Sequence, residues 1–360
     1  LFCGKKMKES SKPKMGWFCS YTPLELIISA GFTPYRISGH SNPIEKADSY
    51  MHANICQYIR ACLDKALEGA YDNIEGFIFI TSCDAMRRLY DVWRKFIPTK
   101  FTFIFDLPVG RSEENNIYFK NELQKLKEAL EKFTSEEISE KNIEESIKIL
   151  EESRLTYHTL NDLRKANPPQ ISGTEIMQQM TQFFSSNPLD WNCKTKKILD
   201  QRIQNPPKSS LNQKPRILLS GSPIHDPEII SFIEECGLNV VFEDLCTGSR
   251  FFNIIIEKTG DVLLDLSRAY LNKTPCSRMM LLEDRAKGII EQVKEFNVDG
   301  VIHYSLKFCD TALYDVPALK KVLNESKINC LFIEGDSTLG SFGQLKTRIE
   351  AFAEIVSNEE

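Results

Sequence analysis

Apolar residues fall along this chain in two textures, short unbroken runs and stripes at helical spacing. The unbroken runs are Gly76-Phe77-Ile78-Phe79-Ile80-Thr81, Phe101-Thr102-Phe103-Ile104-Phe105, Arg216-Ile217-Leu218-Leu219, Asn239-Val240-Val241-Phe242, Gly300-Val301-Ile302-His303-Tyr304 and Cys330-Leu331-Phe332-Ile333. Runs of this length without polar alternation read as strands buried on both faces, the signature of a parallel sheet. Thr33-Pro34-Tyr35-Arg36-Ile37 adds a first short strand. Between the runs lie helical stripes. Thr22 and Pro23 read as N-cap and first helical residue ahead of Leu24, Leu26, Ile27 and Ile28. A helix from about Ala47 to Leu67 carries Ile55, Ile59, Cys62 and Ala66 along one stripe, and further helices are expected over 85–95, 227–235, 285–296, 318–323 and 345–356.

The alternation is interrupted once. From Asn116 to about Ser186 the chain turns to long charged helical segments, with Leu123, Leu126, Leu130 and Phe133 on one apolar stripe and Ile143, Ile147 and Leu150 on another. The stretch Gln204-Asn205-Pro206-Pro207-Lys208-Ser209-Ser210 has the composition of a linker, and strand–helix alternation restarts after it. The expected architecture is therefore α/β, two Rossmann- or flavodoxin-like domains with mostly parallel sheets. The first spans 1–205 with a helical lobe at about 116–186 attached to it, and the second spans 206–360. The Lys/Ser-rich lead over 5–14 is expected to be poorly ordered at its start.

Composition narrows the function. A chain of 360 residues with 42% hydrophobic content is long enough for two cores, and a net charge of -5 argues against a general nucleic-acid binder. No spanning apolar segment or signal-like stretch is present, so a cytoplasmic protein away from any membrane is expected. In a reducing compartment, eleven cysteines point to metal binding or redox chemistry rather than to structural disulfides. Their placement is informative: Cys83, Cys246 and Cys309 each lie just beyond the carboxyl end of an expected strand, where open α/β sheets bind ligands. Cys19 lies in a loop leading into a helix, and Cys56 lies off the core stripe that takes Cys62. Cys236 reads as a bystander near a helix end, and Cys330 begins its strand and so points to the wrong end of the sheet.

Three thiols at one end of three strands read as an iron–sulfur cage, although their scatter along the sequence leaves free thiols in a two-domain α/β protein as an open alternative. Zinc ranks lower, because no Cys-x-x-Cys pair exists and His40 and His303 are isolated. Ser220-Gly221-Ser222 lacks the spacing of a phosphate-cradling glycine fingerprint, and no Walker-type loop is present. Cys83 or Cys309 as a nucleophile has no local signature behind it.

Six stretches carry a resemblance. They are Trp17-Phe18-Cys19-Ser20-Tyr21-Thr22-Pro23, Thr81-Ser82-Cys83-Asp84-Ala85-Met86-Arg87-Arg88, Asp244-Leu245-Cys246-Thr247-Gly248-Ser249-Arg250, Pro275-Cys276-Ser277-Arg278-Met279, Lys307-Phe308-Cys309-Asp310 and Gly343-Gln344-Leu345-Lys346-Thr347-Arg348-Ile349-Glu350-Ala351-Phe352. In this order, from Met15 to Val356, the chain resembles the 2-hydroxyacyl-CoA dehydratase and benzoyl-CoA reductase superfamily, the 2-hydroxyglutaryl-CoA dehydratase D-component type. The resemblance implies two α/β domains enclosing an iron–sulfur cluster, a dimer of like or related subunits, and a separate ATP-hydrolysing iron–sulfur activator that injects a low-potential electron. Cys56, Cys83 and Cys309 match the positions that hold a 4Fe-4S cluster in the dehydratases. With Cys19, Cys246 and Cys276 the set resembles that of the double-cubane cluster proteins, in which two cubanes share a bridging sulfide in an 8Fe-9S centre.

The expected function is then an ATP-activated reductase component that reduces a small substrate at a double-cubane cluster. Arg87, Arg250 and Lys307 would offset the cluster's negative charge or, as readily, form ordinary salt bridges with Asp84, Asp244 or Asp310. A dehydratase subunit with a single 4Fe-4S cluster acting through a ketyl radical, and a non-catalytic electron-storage or maturation protein, are the alternatives. The partner subunit is expected to be a second copy or a paralogue.

Overall fold

The computed structural model describes residues 12–39, 44–204, 214–336 and 342–357. Most of the lead over 5–14, His40 and all but the first residue of the linker expected at 204–210 lie outside the described residues.

The first half contains β1 (Lys14–Trp17), α1 (Leu24–Ser29), β2 (Thr33–Arg36), α2 (Gln57–Leu67), β3 (Ile74–Ile80), α3 (Asp84–Phe96) and β4 (Phe101–Phe105). Helices α4 (Glu113–Thr134), α5 (Glu140–Asp162), α6 (Gly173–Ser185) and α7 (Pro188–Gln204) follow. The second half contains β5 (Arg216–Gly221), α8 (Pro227–Glu235), β6 (Asn239–Asp244), α9 (Ser249–Phe252), α10 (Val262–Asn272), α11 (Leu282–Glu295), β7 (Gly300–Leu306), α12 (Asp310–Glu325), β8 (Cys330–Gly335) and α13 (Phe342–Ser357). The strands form two sheets, ordered β2-β1-β3-β4 and β6-β5-β7-β8, with every pairing parallel. The chain is α/β, as the runs of apolar residues imply. In each sheet the strand order reverses beside the first strand of that half, between β1 and β3 and between β5 and β7, which makes two switch points at the carboxyl edges.

Three local expectations differ from the structure. Thr22 is not the cap of α1: its amide donates to Cys19 O at 2.9 Å, closing a turn that moves the helix start one residue on, and Pro23 takes the cap position. The expected helix over 47–67 is broken. One Asp64 carboxylate oxygen accepts from the amides of Glu45, Lys46 and Ala47 at 3.1, 2.7 and 2.9 Å, pinning a separate turn against α2, and the helix proper starts after Cys56. Helix α12 runs from Asp310 straight through Pro317 instead of starting beyond it. One proline removes a single backbone donor, and the buried Ala312, Leu319 and Leu323 hold both sides of it in one helix.

The charged helices between the two halves touch both sheets. Glu25 on α1, fully buried, pairs with Arg154 of α5 at 2.6 Å and accepts from the Tyr270 hydroxyl of α10 at 2.7 Å. On the other side of α5, Tyr157 donates to Glu243 of β6 at 2.6 Å, and Arg164 just beyond the helix pairs with the same carboxylate at 2.5 Å. Glu234 of α8 accepts from the amides of Gly173 and Thr174 at the start of α6 at 2.8 and 3.2 Å. The main apolar core runs accordingly through both halves, from Trp17, Phe77 and Trp93 to Phe251, Tyr270 and Ile302. A smaller cluster of Leu218, Val241, Phe242, Ile289, Val301 and Leu323 fills the other face of the second sheet.

Gly221 closes β5 at the second switch point with φ at +130°, and a Cβ placed there would lie 2.0 Å from Tyr304 O. Gly221→Ala should therefore cost about 3 kcal/mol or more, since neither the backbone nor the strand beside it can yield. Urea unfolding followed by circular dichroism tests this, and an unchanged midpoint would refute it.

Candidate metal centre

Parallel pairing sends every strand's carboxyl end, and the start of the helix that follows, to the same edge of its sheet. The thiols gather there. Cys56, Cys83 and Cys309 are the N-cap residues of α2, α3 and α12, and Cys276 caps a short 3-10 turn over 277–279. Cys19 follows β1, and Cys246 follows β6. Unpaired amides and the macrodipole make a helix N-terminus favourable for a thiolate or an anionic centre. The Cys83 sulfur already accepts from Met86 N at 3.4 Å.

These thiols act on one another as two linked groups. Cys56 and Cys309 interact with each other, and Cys83 is within electrostatic reach of both. The neighbouring Cys309, together with burial, pushes the titration of Cys56 up. Cys309 is held below its ordinary value by Cys56 against burial, helped by Ser222, the Ala312 amide and Thr311. Cys19 interacts with Cys276 and Cys246, and burial raises it to about 11. Cys83 also interacts with Cys19 and Cys276, joining the two groups, and burial raises it to about 12. All six cysteines singled out from the sequence are thus free thiols, each within electrostatic reach of at least one other of the set. Among the described residues no group of three or more Cys, His, Asp or Glu side chains is arranged around a single metal ion. A cubane takes one thiolate at each iron it offers, so its ligands spread around its corners rather than converge on a point.

The remaining thiols lie apart. Cys62 is fully buried in the core with its sulfur 3.9 Å from Ile37 O, Cys236 ends α8, and Cys330 starts β8 with its sulfur 3.7 Å from Asn324 Oδ1. Cys193 on α7 is disulfide-bonded, which departs from the expectation of reduced thiols throughout.

Of the three cations expected beside the thiols, Arg250 is buried, lies 3.3 Å from Asp244 Oδ1, and senses Cys246 and Cys276. Arg87 is exposed, and Lys307 is exposed and pairs with Asp336 at 3.1 Å instead of Asp310. Two cations that the sequence did not single out stand closer. Arg36, at the end of β2, donates to Cys246 O at 2.7 Å and to Cys246 Sγ at 3.3 Å, with its guanidinium over the rings of Trp17 and Phe184 at 4.9 and 4.8 Å. Lys273, buried after α10, donates to Ser20 O at 2.5 Å and lies over the Tyr21 ring at 4.2 Å. Burial lowers its pKa to about 7 against the opposing pull of Cys19, Cys276 and Cys246. Lys273 directly precedes Thr274-Pro275-Cys276, the one hint of it in the sequence; Arg36 is 210 positions from Cys246 and had none.

Two cavities adjoin these cations. One of about 210 Å³ is lined by Arg36, Ser38, Thr181, His225 and Thr247, and one of about 710 Å³ by His158, Asn253, Asp265, Arg268 and Lys273. Among the described residues no helix is long and apolar enough to cross a membrane.

The family model "2-hydroxyglutaryl-CoA dehydratase, D-component" matches residues 19–356, a span that takes in all six thiols. The chain belongs to this family. Similar proteins include the (R)-phenyllactyl-CoA dehydratase beta subunit of Clostridium sporogenes, 26% identical over 98% of this chain and 94% of the relative. A benzoyl-CoA reductase subunit of Thauera aromatica is 25% identical over 98% and 92%, and the lactoyl-CoA dehydratase beta subunit of Anaerotignum propionicum 26% over 97% and 93%. This D-component relative is therefore a member of an enzyme family whose named members are subunits of dehydratases and reductases.

His303 of β7 is fully buried, six residues before Cys309, and burial together with the Arg285 charge lowers its pKa to about 3. An unfolded chain binds a proton at this ring near pH 6.5 and the folded chain does not, so stability is complete above about 6.5 and falls as pH drops toward 3. His303→Leu should flatten that fall by up to about 1.4 kcal/mol per pH unit. Denaturant titrations of the metal-free chain at pH 4.5 and 7 measure it, and equal losses in both proteins would show that the ring does not titrate in this way.

Proposed function

We propose that this chain is the cluster-bearing reductase component of a two-protein system, in which a separate ATP-hydrolysing iron–sulfur activator supplies low-potential electrons for reducing a small substrate. The observation that supports this reading is the placement of six cysteines at helix starts or just beyond strand ends, with Cys56, Cys83, Cys276 and Cys309 at N-cap positions and Cys19 and Cys246 after β1 and β6. Cys19, Cys56, Cys83, Cys246, Cys276 and Cys309 would hold an 8Fe-9S double cubane. Thiolates are the soft ligands that iron–sulfur centres take, so the donor set fits the group. When bound, such a centre supplies one-electron chemistry at low potential.

The chain's own residues do the rest. Three helix N-termini and the buried Arg36 and Arg250 place positive charge around the thiols, which favours their deprotonated form and offsets the charge of added electrons. Hydrogen bonds from Arg36 to Cys246 and from the Met86 amide to Cys83 tune the sulfurs. The sheets and the helices between them exclude water from Cys56 and Cys309, which are 7% and 8% exposed. A second copy or a paralogue completes the dimer.

A second reading, a dehydratase subunit with one 4Fe-4S cluster on Cys56, Cys83 and Cys309, is favoured by the names of the relatives, two of which are dehydratase subunits. Iron content separates the two. Protein purified without oxygen should carry about eight iron atoms per chain for the double cubane and about four for the single one; a folded, colourless, iron-free protein would sink both.

Ligand identity is tested by Cys83→Ser and Cys309→Ser, which should lose cluster absorbance because a hydroxyl is a poor soft-metal ligand. Cys62→Ser and Cys330→Ser should keep it. Full iron in Cys309→Ser would exclude the assignment.

Energy coupling is tested by turnover. Thiol-based reductants lie near -300 mV, whereas iron–sulfur centres reach roughly -700 mV. The chain alone should not reduce substrate with such donors, and should do so only with the activator and ATP. Steady turnover unchanged by withholding ATP would refute the coupling.

A further inference from the structure

Arg285, on α11, is 1% exposed and touches four separate segments of the second half. Its Nη1 donates to Pro275 O at 3.4 Å, one residue before Cys276. Nη2 lies 3.0 Å from Asp244 Oδ2, two residues before Cys246, and donates to Ser220 Oγ at 3.0 Å. Nε lies 3.0 Å from Asp315 Oδ2 on α12, the helix that Cys309 caps. Asp244 in turn accepts from Ser220 Oγ at 2.8 Å and lies 3.3 Å from Arg250 Nε, whose Nη2 donates to Gly221 O at 2.8 Å. The network is dry, with Asp244 3% exposed, Arg250 3%, Asp315 6% and Ser220 0%, and Arg285 Nε, Arg250 Nε and Asp315 Oδ2 meet their partners as ion contacts rather than hydrogen bonds.

We propose that Arg285 is a positioning residue that sets the relative places of Cys246, Cys276 and Cys309, by binding with one planar guanidinium the three backbone segments that carry them. This rests on the cluster reading of the thiols, although the spacing it sets is a property of the chain alone. A guanidinium is the side chain suited to the task, because it presents donors in fixed directions, whereas an ammonium at the same place is a single point charge with no preferred plane. Two buried acids against two buried arginines leave no charge free to relax toward water. Burying such a set stabilises a fold weakly at best, but losing one member is costly, so its effect is to specify one arrangement.

Arg285→Lys keeps the charge and removes the fork. A control is Arg216→Lys, at the opposite end of β5, where an arginine 5% exposed donates to Arg164 O, Ala166 O and Phe296 O, away from every thiol discussed. The first measurement uses metal-free reduced protein: alkylation is timed at each cysteine by peptide mass spectrometry, with circular dichroism and urea unfolding to register stability. Arg285→Lys should raise alkylation of Cys246, Cys276 and Cys309 at least about tenfold while leaving Cys19 and Cys62 near wild type, and Arg216→Lys should change none of the five. The second uses protein purified without oxygen: Arg285→Lys should hold at most about half the wild-type iron, with an altered electron paramagnetic resonance spectrum, while Arg216→Lys holds the full amount. Asp315→Asn, which releases one arm only, should expose Cys309 alone and keeps the test decisive if Arg285→Lys does not fold.

Wild-type alkylation at all three sites in Arg285→Lys, or equal exposure of every cysteine, would overturn the positioning role. An iron-free wild type would instead defeat the cluster reading and leave the alkylation result to decide the role of Arg285.

Discussion

In a parallel sheet every connecting helix must begin at the edge where the strands end, and this constraint decides what the interface between the two sheets contains. Helix starts bring unpaired amides and partial positive charge, and the residues at those starts are the ones the chain can present to a ligand. Here the cap positions of α2, α3 and α12 are given to cysteine, where serine, threonine or aspartate would cap better. Each helix forgoes some local stability for a sulfur at its tip. Apolar burial through both sheets and the buried ion pairs of Arg154 on α5 and Arg164 just beyond it hold the tips in register.

Seven of the eight described strands were legible, most from the unbroken apolar run that burial on both faces leaves, as at 76–80 and 300–306; β1, an inner strand of the first sheet, was missed because Lys14-Met15-Gly16-Trp17 makes no such run. Cys56 was harder to place. The segment 47–56 has helical composition, but Asp64 holds the amides of Glu45, Lys46 and Ala47, seventeen to nineteen residues before it, in a separate turn ahead of α2. Two of the four helices over 113–204 were legible as charged amphipathic stripes, but their partners were not: Glu25 meets Arg154 across 129 positions, and Tyr157 meets Glu243 across 86. Arg36, Lys273 and Arg285 share this difficulty. A cation's role beside a distant thiol follows from tertiary packing, to which neither periodicity nor spacing gives access.

Electrostatics at the interface pull in two directions. Burial raises the titration of Cys19 and Cys83 and so favours neutral thiols in the empty chain, while helix ends and buried cations favour thiolates. The first effect keeps several sulfurs together without mutual repulsion, and the second lowers the cost of deprotonating them when a positively charged partner arrives. Lys273 illustrates the balance, a cation held where burial opposes its charge and neighbouring thiols support it.

The thiols that meet at this interface come from the two extremes of the described chain, Cys19 near its beginning and Cys309 near its end. Loop closure over such distances is slow and comes late, since non-local contacts are rewarded only after the intervening chain has ordered. Either half, folding first, would present an incomplete set of sulfurs to the solvent. On the cluster reading, the interval between docking of the two halves and occupation of the site is the period in which oxidation of these cysteines by oxygen would compete with assembly.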